Sequence, residues 1–434
     1  MIRCDVAVAG GGPAGSAVAL RLARLGHDVL VVERRPAASR GFAESLAPGV
    51  LVHLASLGIA LEDAIEAPAK LIEWRGAVER IDEPITVVDR ARFDAQLLAA
   101  ASKAGARVLQ PCGIESIERN GSRWTLFAGH TTIDAGFVID ASGRAGVLRA
   151  KREAATPRLF ATRARWNGID APSEMRISAL PNGWMWGVRG PERSYHVCTF
   201  VRGEDVRRES PLFPFLTTPP DERQSCEATP YVVAEPIGDG MLDRMLVVGD
   251  AACAIDPLSS SGVQTALGGG IAASLAVHTI LRAPERAGAA RAFYTGHVRR
   301  VAARHRQWTA AYYAESGAEG PFWPVTSERP TRPHRTSRPG LPSPNAMLAL
   351  HPEASLVDAP VVIGDFIETR RVVRTPSGEH IAYLGDTEVA PLLAGLRDPM
   401  PAADLARSWQ LAPHTAVTVL QWLVANEVVG RIDA

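Results

Sequence analysis

Two glycine signatures far apart in the chain constrain its fold more than any other feature. Gly10-x-Gly12-x-x-Gly15 lies near the N-terminus, and Val247-Val248-Gly249-Asp250-Ala251-Ala252 follows most of a domain later. One such turn grips half of a dinucleotide and leaves its identity open. Two suit a long cofactor held at both ends, which points to FAD. A flavin confines the chemistry to redox or oxygen activation.

The local pattern supports this. Residues 2–9 predict a buried parallel strand, residues 13–26 an Ala/Leu-rich helix stopped by Gly26, and residues 27–33 a second strand ending on Glu33. This is a βαβ unit with an acid placed to accept ribose hydroxyls. In the turn, Gly10 and Gly12 permit a tight bend and close backbone approach. Pro13, Ala14 and Gly15 open a helix whose N-terminus faces a pyrophosphate. Arg34 could lie on the phosphate side, although a solvated face explains it equally well.

Helical periodicity recurs at 92–104, with short strands near 106–110 and 137–140. From 156 to 240 the chain is rich in Trp, Tyr, Thr, Val and Pro, with turn punctuation and no helical period. It predicts an antiparallel substrate-side sheet joined by residues 70–88. Residues 244–282 return to the core as strand, loop and long helix. The domain reading is a discontinuous cofactor domain (1–69, 89–155, 241–323), a substrate domain (70–88, 156–240), a Pro/Arg/Ser-rich linker (324–344) and a small C-terminal α+β unit (345–434) of winged-helix type. The fold class is α/β, a Rossmann-like core with an interleaved antiparallel sheet.

Composition removes several alternatives. The 434 residues carry 47 basic and 47 acidic side chains, so no global field favours nucleic acid or an anionic membrane. The presumed second C-terminal helix is nearly uncharged, which also argues against DNA. Five scattered cysteines lack metal-ligand spacing, so free thiols in a reducing compartment and no metal are expected. The first apolar run flows directly into the glycine loop, which argues against a cleaved leader. No stretch reads as a membrane span, and the expected location is the cytoplasm.

Asp250 closes a buried strand, where an acid can bind ribityl or ribose hydroxyls. Beyond it Ser259-Ser260-Ser261-Gly262 opens another helix, whose backbone N–H groups could stabilise charge on a reduced ring. An ordinary helix cap reads the same way.

Gly-x-Gly-x-x-Gly, Val88-Asp89-Arg90-Ala91-Arg92-Phe93-Asp94, Asp140-Ala141-Ser142-Gly143-Arg144 and Gly249-Asp250-Ala251-Ala252 together resemble the para-hydroxybenzoate-hydroxylase and flavin-halogenase superfamily over residues 1–320. Finer matches include Ala43-Glu44-Ser45-Leu46-Ala47-Pro48, Trp74-Arg75-Gly76, Gly183-Trp184-Met185-Trp186, Asp256-Pro257 through Val263, and Tyr312-Tyr313 with Pro321-Phe322-Trp323. They resemble the LodB-like and QhpG-like FAD-dependent monooxygenases of tryptophylquinone cofactor biogenesis.

The resemblance implies FAD, O2, and NAD(P)H or reduced flavin as external reductant. It implies hydroxylation of a tryptophan side chain through a flavin C4a-hydroperoxide. The substrate would be a partner polypeptide, the small catalytic subunit of a quinohemoprotein amine dehydrogenase, with its other maturation protein as a candidate second component. By the same resemblance Arg90 reaches the middle of the cofactor, Gly249 and Asp250 hold the pyrophosphate–ribityl region, and Glu44, Ser45, Pro257, Ser260, Ser261, Gly262 and Val263 lie beside the ring. Many superfamily hydroxylases carry Asp-Gly where this chain has Asp140-Ala141-Ser142-Gly143, so nicotinamide handling is not implied.

Glu44 is the first candidate for proton transfer and His196 the second, against a satisfied structural histidine. Trp74, Trp184 and Trp186 are candidate walls of the substrate cavity, and equally candidate core aromatics. Lys70 marks the rival chemistry. Flavin halogenases place a lysine between flavin and substrate, whereas a strand-edge lysine needs no such role. A small-molecule aromatic hydroxylase and a flavin-containing assembly protein are further alternatives.

Overall fold

The computed structural model describes residues 1–37, 41–74, 77–154, 156–202, 213–238, 244–315, 322–323, 341–396 and 398–432. Contacts divide the chain into two compact units, Met1–His278 with Tyr294–Thr331, and Thr279–Phe293 with Arg332–Ala434. Most of the linker expected at 324–344, together with Arg75, Gly76 and Pro321, falls outside the described residues.

The first unit is built around a sheet in the order Arg107–Leu109, Val29–Val32, Ile2–Ala9, Thr131–Asp140, Arg123–Ala128, Ser116–Asn120. The first four of these run parallel. Val6–Ala9 and Val29–Val32 are buried throughout, as continuous apolar runs are when both faces of a parallel sheet are covered. Thr131–Asp140 is long enough to serve two neighbours on its far edge. Residues 131–135 pair antiparallel with Arg123–Ala128, and 138–140 pair parallel with Met245–Val247. This pairing carries the downstream glycine turn back beside the first. Both turns stand at the carboxyl ends of parallel strands, where open α/β sheets bind ligands.

A second sheet of seven strands runs Glu222–Glu227, Leu159–Asn167, Ser194–Arg202, Gly183–Gly190, Met175–Leu180, Lys70–Trp74, Ala77–Ile81. Its pairings are antiparallel apart from Met175–Leu180 on Lys70–Trp74. Residues 85–88, grouped with this sheet on sequence, are placed elsewhere. Ile85–Asp89 lies between Ala43–Ser45 and Ile65–Ala67 in a small separate sheet. The Asp89 carboxylate ends that strand by capping the helix Arg90–Lys103, accepting the N–H groups of Ala91 and Arg92, and it also accepts the Gly41 N–H.

The helix Gly262–Arg282 corrects one expectation. Its 21 residues, with a mean hydropathy of 1.2 in their most apolar window, have the length and composition of a membrane span, but 72% of that window is buried inside the protein. Its apolarity is that of a core helix. A Cβ on Gly270 would stand 2.6 Å from the Ala14 carbonyl oxygen, so glycine is what lets this helix approach the helix Pro13–Arg24 so closely.

The second unit is α+β. Met347–Leu350 pairs with Met400–Pro401 and Val429–Arg431, and the hairpin Ser355–Ile363/Phe366–Arg374 adds a ribbon that the sequence reading did not anticipate. Leu348, Val373, Leu405, Leu420, Leu423 and Val428 form its core with the helices Ala402–Ser408 and Pro413–Ala425.

Candidate FAD site and the cleft around it

A cleft of about 540 Å³ opens along the carboxyl ends of the parallel strands. It begins at the first glycine turn. Gly10 has φ +108°, and a Cβ there would stand 2.5 Å from the Ala141 carbonyl oxygen. A Cβ on Gly15 would run into the Gly10 carbonyl oxygen, whereas nothing lies within 4 Å of the same position on Gly12. Gly10 and Gly15 are therefore fixed by the protein's own packing, and Gly12 faces open space. Gly249, with φ +62°, packs its Cα side against the Ala14 methyl, at 2.7 Å from where its Cβ would be.

Main-chain geometry continues along this end. The Glu33 carboxylate accepts N–H bonds from Gly11 (2.6 Å) and Arg35 (2.8 Å). The buried Asp140 accepts from the Ser142 and Leu148 N–H groups at 3.0 and 2.9 Å and from the Ser142 hydroxyl at 2.6 Å. That folds residues 141–145 into the cleft wall. Asp250 lies 3.9 Å from the Arg144 guanidinium. Loss of hydration pushes its pKa up, and Arg144 and Arg90 oppose the shift.

The other end is lined by side chains. Arg90 contacts Glu44 at 3.4 Å and Asp94 at 3.1 Å. Burial works against its charge, but Asp94 and Glu44 outweigh this and leave its pKa raised. From the second sheet come Ala161, Arg163, Trp186, Cys198 and Phe200. Cys198 is the register partner of both Arg163 and Trp186, so the three form one row across three strands. Burial pushes the Cys198 thiol up to about 12, so it stands as a neutral thiol beside the Arg163 guanidinium. None of the five cysteines is in a disulfide, and no cluster of metal-binding side chains occurs among the described residues.

Of the residues singled out on sequence, the cleft brings together Gly10, Gly12, Pro13, Ala14, Glu33, Arg34, Glu44, Ser45, Arg90, Asp250, Pro257, Ser260, Gly262, Val263 and Trp186. Gly15 and Gly249 pack behind it, and the Ser261 hydroxyl turns back to the Ser259 carbonyl.

Four others do not line it. His196 is 3% exposed, with Nδ1 accepting the Ala43 N–H (3.1 Å) and Nε2 bonded to the Ser194 hydroxyl (2.9 Å), which gives it a structural role. Trp184 stacks on Phe200 with centroids 4.2 Å apart and donates its indole N–H to the Tyr313 oxygen. Trp74 sits edge-on to Trp323. Lys70 lies between Met175 and Ile81 in the second sheet, and burial lowers its pKa. Arg163, Cys198 and Phe200 were missed. They alternate along strands whose register no sequence motif announces.

The family model described as "FAD binding domain" matches residues 3–230, just over half of the chain. The chain belongs to that family. The open space over Gly12, the strand-end acid Glu33 and the long cleft between the two glycine turns fit such a cofactor, and FAD is the redox group of this protein.

Among curated relatives, the tryptophan 2-halogenase of Chondromyces crocatus is 29% identical over 339 residues, a match covering 67% of this chain and 64% of the halogenase. LodB of Marinomonas mediterranea is 28% identical over 61% of this chain and 81% of its own. Among solved structures, the peptidyl tryptophan dihydroxylase QhpG, essential for tryptophylquinone cofactor biogenesis, matches with a TM-score of 0.78 at 23% identity, over 98% of this chain and 99% of that one. The last likeness shows a shared fold. With these relatives the chain stands as an FAD-dependent oxidoreductase.

Proposed function

We propose that this flavoprotein is a monooxygenase that hydroxylates a tryptophan side chain of a partner polypeptide, in the maturation of a tryptophylquinone cofactor. Hydroxylation places one atom of O2 on the indole ring in place of hydrogen and releases the other as water. It consumes two electrons and two protons, which reduced flavin carries together, or which NAD(P)H supplies as a hydride with one further proton from solvent. The partner is the small catalytic subunit of a quinohemoprotein amine dehydrogenase, presented alone or with its other maturation protein. Five free thiols suit the cytoplasm as the place of reaction.

FAD, when bound, supplies two-electron transfer and oxygen activation. The chain's own residues do the rest. The N–H groups around Gly12 and the N-terminus of helix Pro13–Arg24 would hold the pyrophosphate, Glu33 the ribose, and Arg90 and Asp250 the middle. Pro257, Ser260, Gly262 and Val263 would border the ring. Trp186 and Phe200 exclude water and present flat apolar surface. Glu44, held by Arg90 at 3.4 Å, is placed to take or return a proton, and Arg163 offers a fixed positive charge beside it.

The observation that carries this reading over its nearest rival is the position of Lys70. Halogenation by a lysine relay needs an amine between flavin and substrate, and Lys70 does not line the cleft. The likeness to a tryptophan 2-halogenase keeps halogenation as the second reading. One incubation separates the two. The FAD-loaded protein, reductant, labelled O2, bromide and a partner polypeptide are combined and read by intact mass. One or two labelled oxygens on a tryptophan support the hydroxylase, and a bromine-sized gain without oxygen overturns it.

A further inference from the structure

The helix Ala287–Glu315 carries four arginines within residues 299–306, and its one acid is Glu315 at the far end. Arg299, Arg300, Arg304 and Arg306 are exposed, on the side of the helix opposite the buried Val298, Thr309 and Tyr313. Among the described residues none of the four makes an ion pair or a hydrogen bond. Elsewhere in this unit the exposed Arg80, Arg107 and Arg158 each meet an acid.

The four charges act on one another and on their neighbours. Like charges four residues apart on a helix repel. Burial and the neighbouring Arg304 lower the Arg300 pKa, and both causes act on His305 as well. His297 is pushed down to about 4, by burial first and then by Arg300, Arg304 and His53. No acid opposes any of these shifts. In a chain of balanced formal charge this is a local positive field that the fold leaves uncompensated.

Aromatic rings continue the same row. Arg300, Arg304, Trp308 and Tyr312 follow one another at four-residue intervals. Trp308 is 39% and Tyr312 36% exposed, and their rings lie 4.5 Å apart. Arginine, tryptophan and tyrosine are the residues enriched where proteins bind proteins. Arg306 and Ala310 also border a cavity of about 290 Å³, whose lining includes Ile255 and Asp256. Those two residues line the FAD cleft as well, so the arginine face lies close to the cleft wall.

We propose that the face formed by Arg299, Arg300, Arg304 and Arg306, with Trp308 and Tyr312 at its edge, docks an acidic segment of the partner polypeptide. The nature of the partner rests on the hydroxylase reading. The segment is an anchor outside the cleft and takes no part in oxygen transfer. Opposite charge steers the encounter and fixes register. A formal charge of zero over the whole chain disfavours a long polyanion such as a duplex or a membrane, whereas a short acidic segment needs only this face.

The test uses the full-length FAD-loaded protein and two synthetic peptides of equal length. Each has a single tryptophan, flanked in one by glutamates and in the other by glutamines. Fluorescence anisotropy should show the glutamate peptide bound about tenfold more tightly, an advantage lost between about 50 mM and 500 mM salt. Arg300→Gln with Arg304→Gln should lower affinity for the glutamate peptide about tenfold. Affinity for the glutamine peptide, flavin content and melting temperature should not change, because these side chains have no partners to lose. Arg300→Glu with Arg304→Glu should invert the preference, favouring a lysine-flanked peptide.

Equal binding of the two peptides by the wild type, or none, overturns the proposal. So does an undiminished glutamate preference in the Arg300→Gln, Arg304→Gln protein. So does a DNA duplex or a phosphatidylserine vesicle bound more tightly than the glutamate peptide through the same arginines. Labelled oxygen entering the partner's tryptophan with an unchanged KM in the Arg300→Gln, Arg304→Gln protein would sink the docking face and leave the hydroxylase standing. Peptide binding as described, with no oxygen ever added to any tryptophan, would do the reverse.

Discussion

At the glycine-turn end of the cleft, the wall is shaped by glycines and by acids whose carboxylates are held by main-chain N–H groups. At the aromatic end, it is made of side chains delivered from distant strands. Gly10, Gly12 and residues 141–145 make the first end; Arg163, Trp186, Cys198 and Phe200 make the second. Main-chain surface tolerates little change, because altering it moves the fold. Side-chain surface can be replaced singly. The first end should therefore fail by losing FAD or stability, and the second by losing rate or selectivity with FAD still bound.

The largest effects should come from the glycine turn, and they should divide. Gly15→Ala forces a methyl into the Gly10 carbonyl, and Gly10→Ala combines φ +108° with a contact 2.5 Å from Ala141. Each should cost about 3 kcal/mol or more and yield little folded protein. Gly12→Ala meets nothing within 4 Å. Its FAD-free melting temperature should stay within about 2 °C of wild type, while FAD affinity falls at least about 100-fold, because the methyl occupies the space of the phosphates. Thermal melts with and without FAD, and flavin absorbance after gel filtration, check both. A Gly12→Ala protein that keeps its flavin would break the assignment of this end.

The contrast also explains what the sequence could reveal. A main-chain site is written contiguously. A strand, three glycines at fixed spacing, a helix and Glu33 all lie within one stretch, so the βαβ unit and its ligand could be read directly. The return of the chain at Gly249-Asp250 was equally legible, because a buried strand and a glycine announce it.

The aromatic end is written across three strands. Arg163, Cys198 and Trp186 become neighbours only through a register that a one-residue slip would invert. Their segments are buried on both faces over most of their length, so no inside–outside pattern says which face meets the cofactor. The same ambiguity let His196 and Trp184 read as site residues, when one is a structural hydrogen-bonding hub and the other is packed behind Phe200.

At the aromatic end the next effects are kinetic. Glu44→Gln keeps shape and removes the carboxylate opposite Arg90. FAD should stay bound, and the rate of oxygen transfer should fall about 100-fold to 10,000-fold, the range of general acid–base catalysis. Rapid-mixing spectra with reduced protein and O2 distinguish a slow transfer from a failure to bind flavin. Arg163→Met should have a similar, smaller effect, about tenfold to 100-fold, with flavin content unchanged. An Arg163→Met protein that loses its flavin would place that guanidinium on the cofactor rather than beside the reacting atoms. Trp186→Leu removes flat apolar wall and should lower coupling. Peroxide released per reductant consumed should rise severalfold while reduction itself is unaffected.

The smallest expected effect is the most discriminating for the chemistry. Lys70 sits on a strand of the second sheet between Met175 and Ile81 and contributes nothing to the cleft surface. Its lowered pKa comes from burial, with Glu83 opposing, which is the behaviour of an amine tucked against a sheet rather than of a group shared with a reacting flavin. Lys70→Ala should therefore change oxygen transfer to tryptophan by no more than about twofold and stability by less than about 1 kcal/mol. A lysine relay predicts the opposite: loss of all product while flavin binding and reduction persist. The substitution thus separates two chemistries that share one fold and one cofactor. It does so at a residue whose removal should disturb neither end of the cleft, so a loss of product there could not be explained by a damaged site.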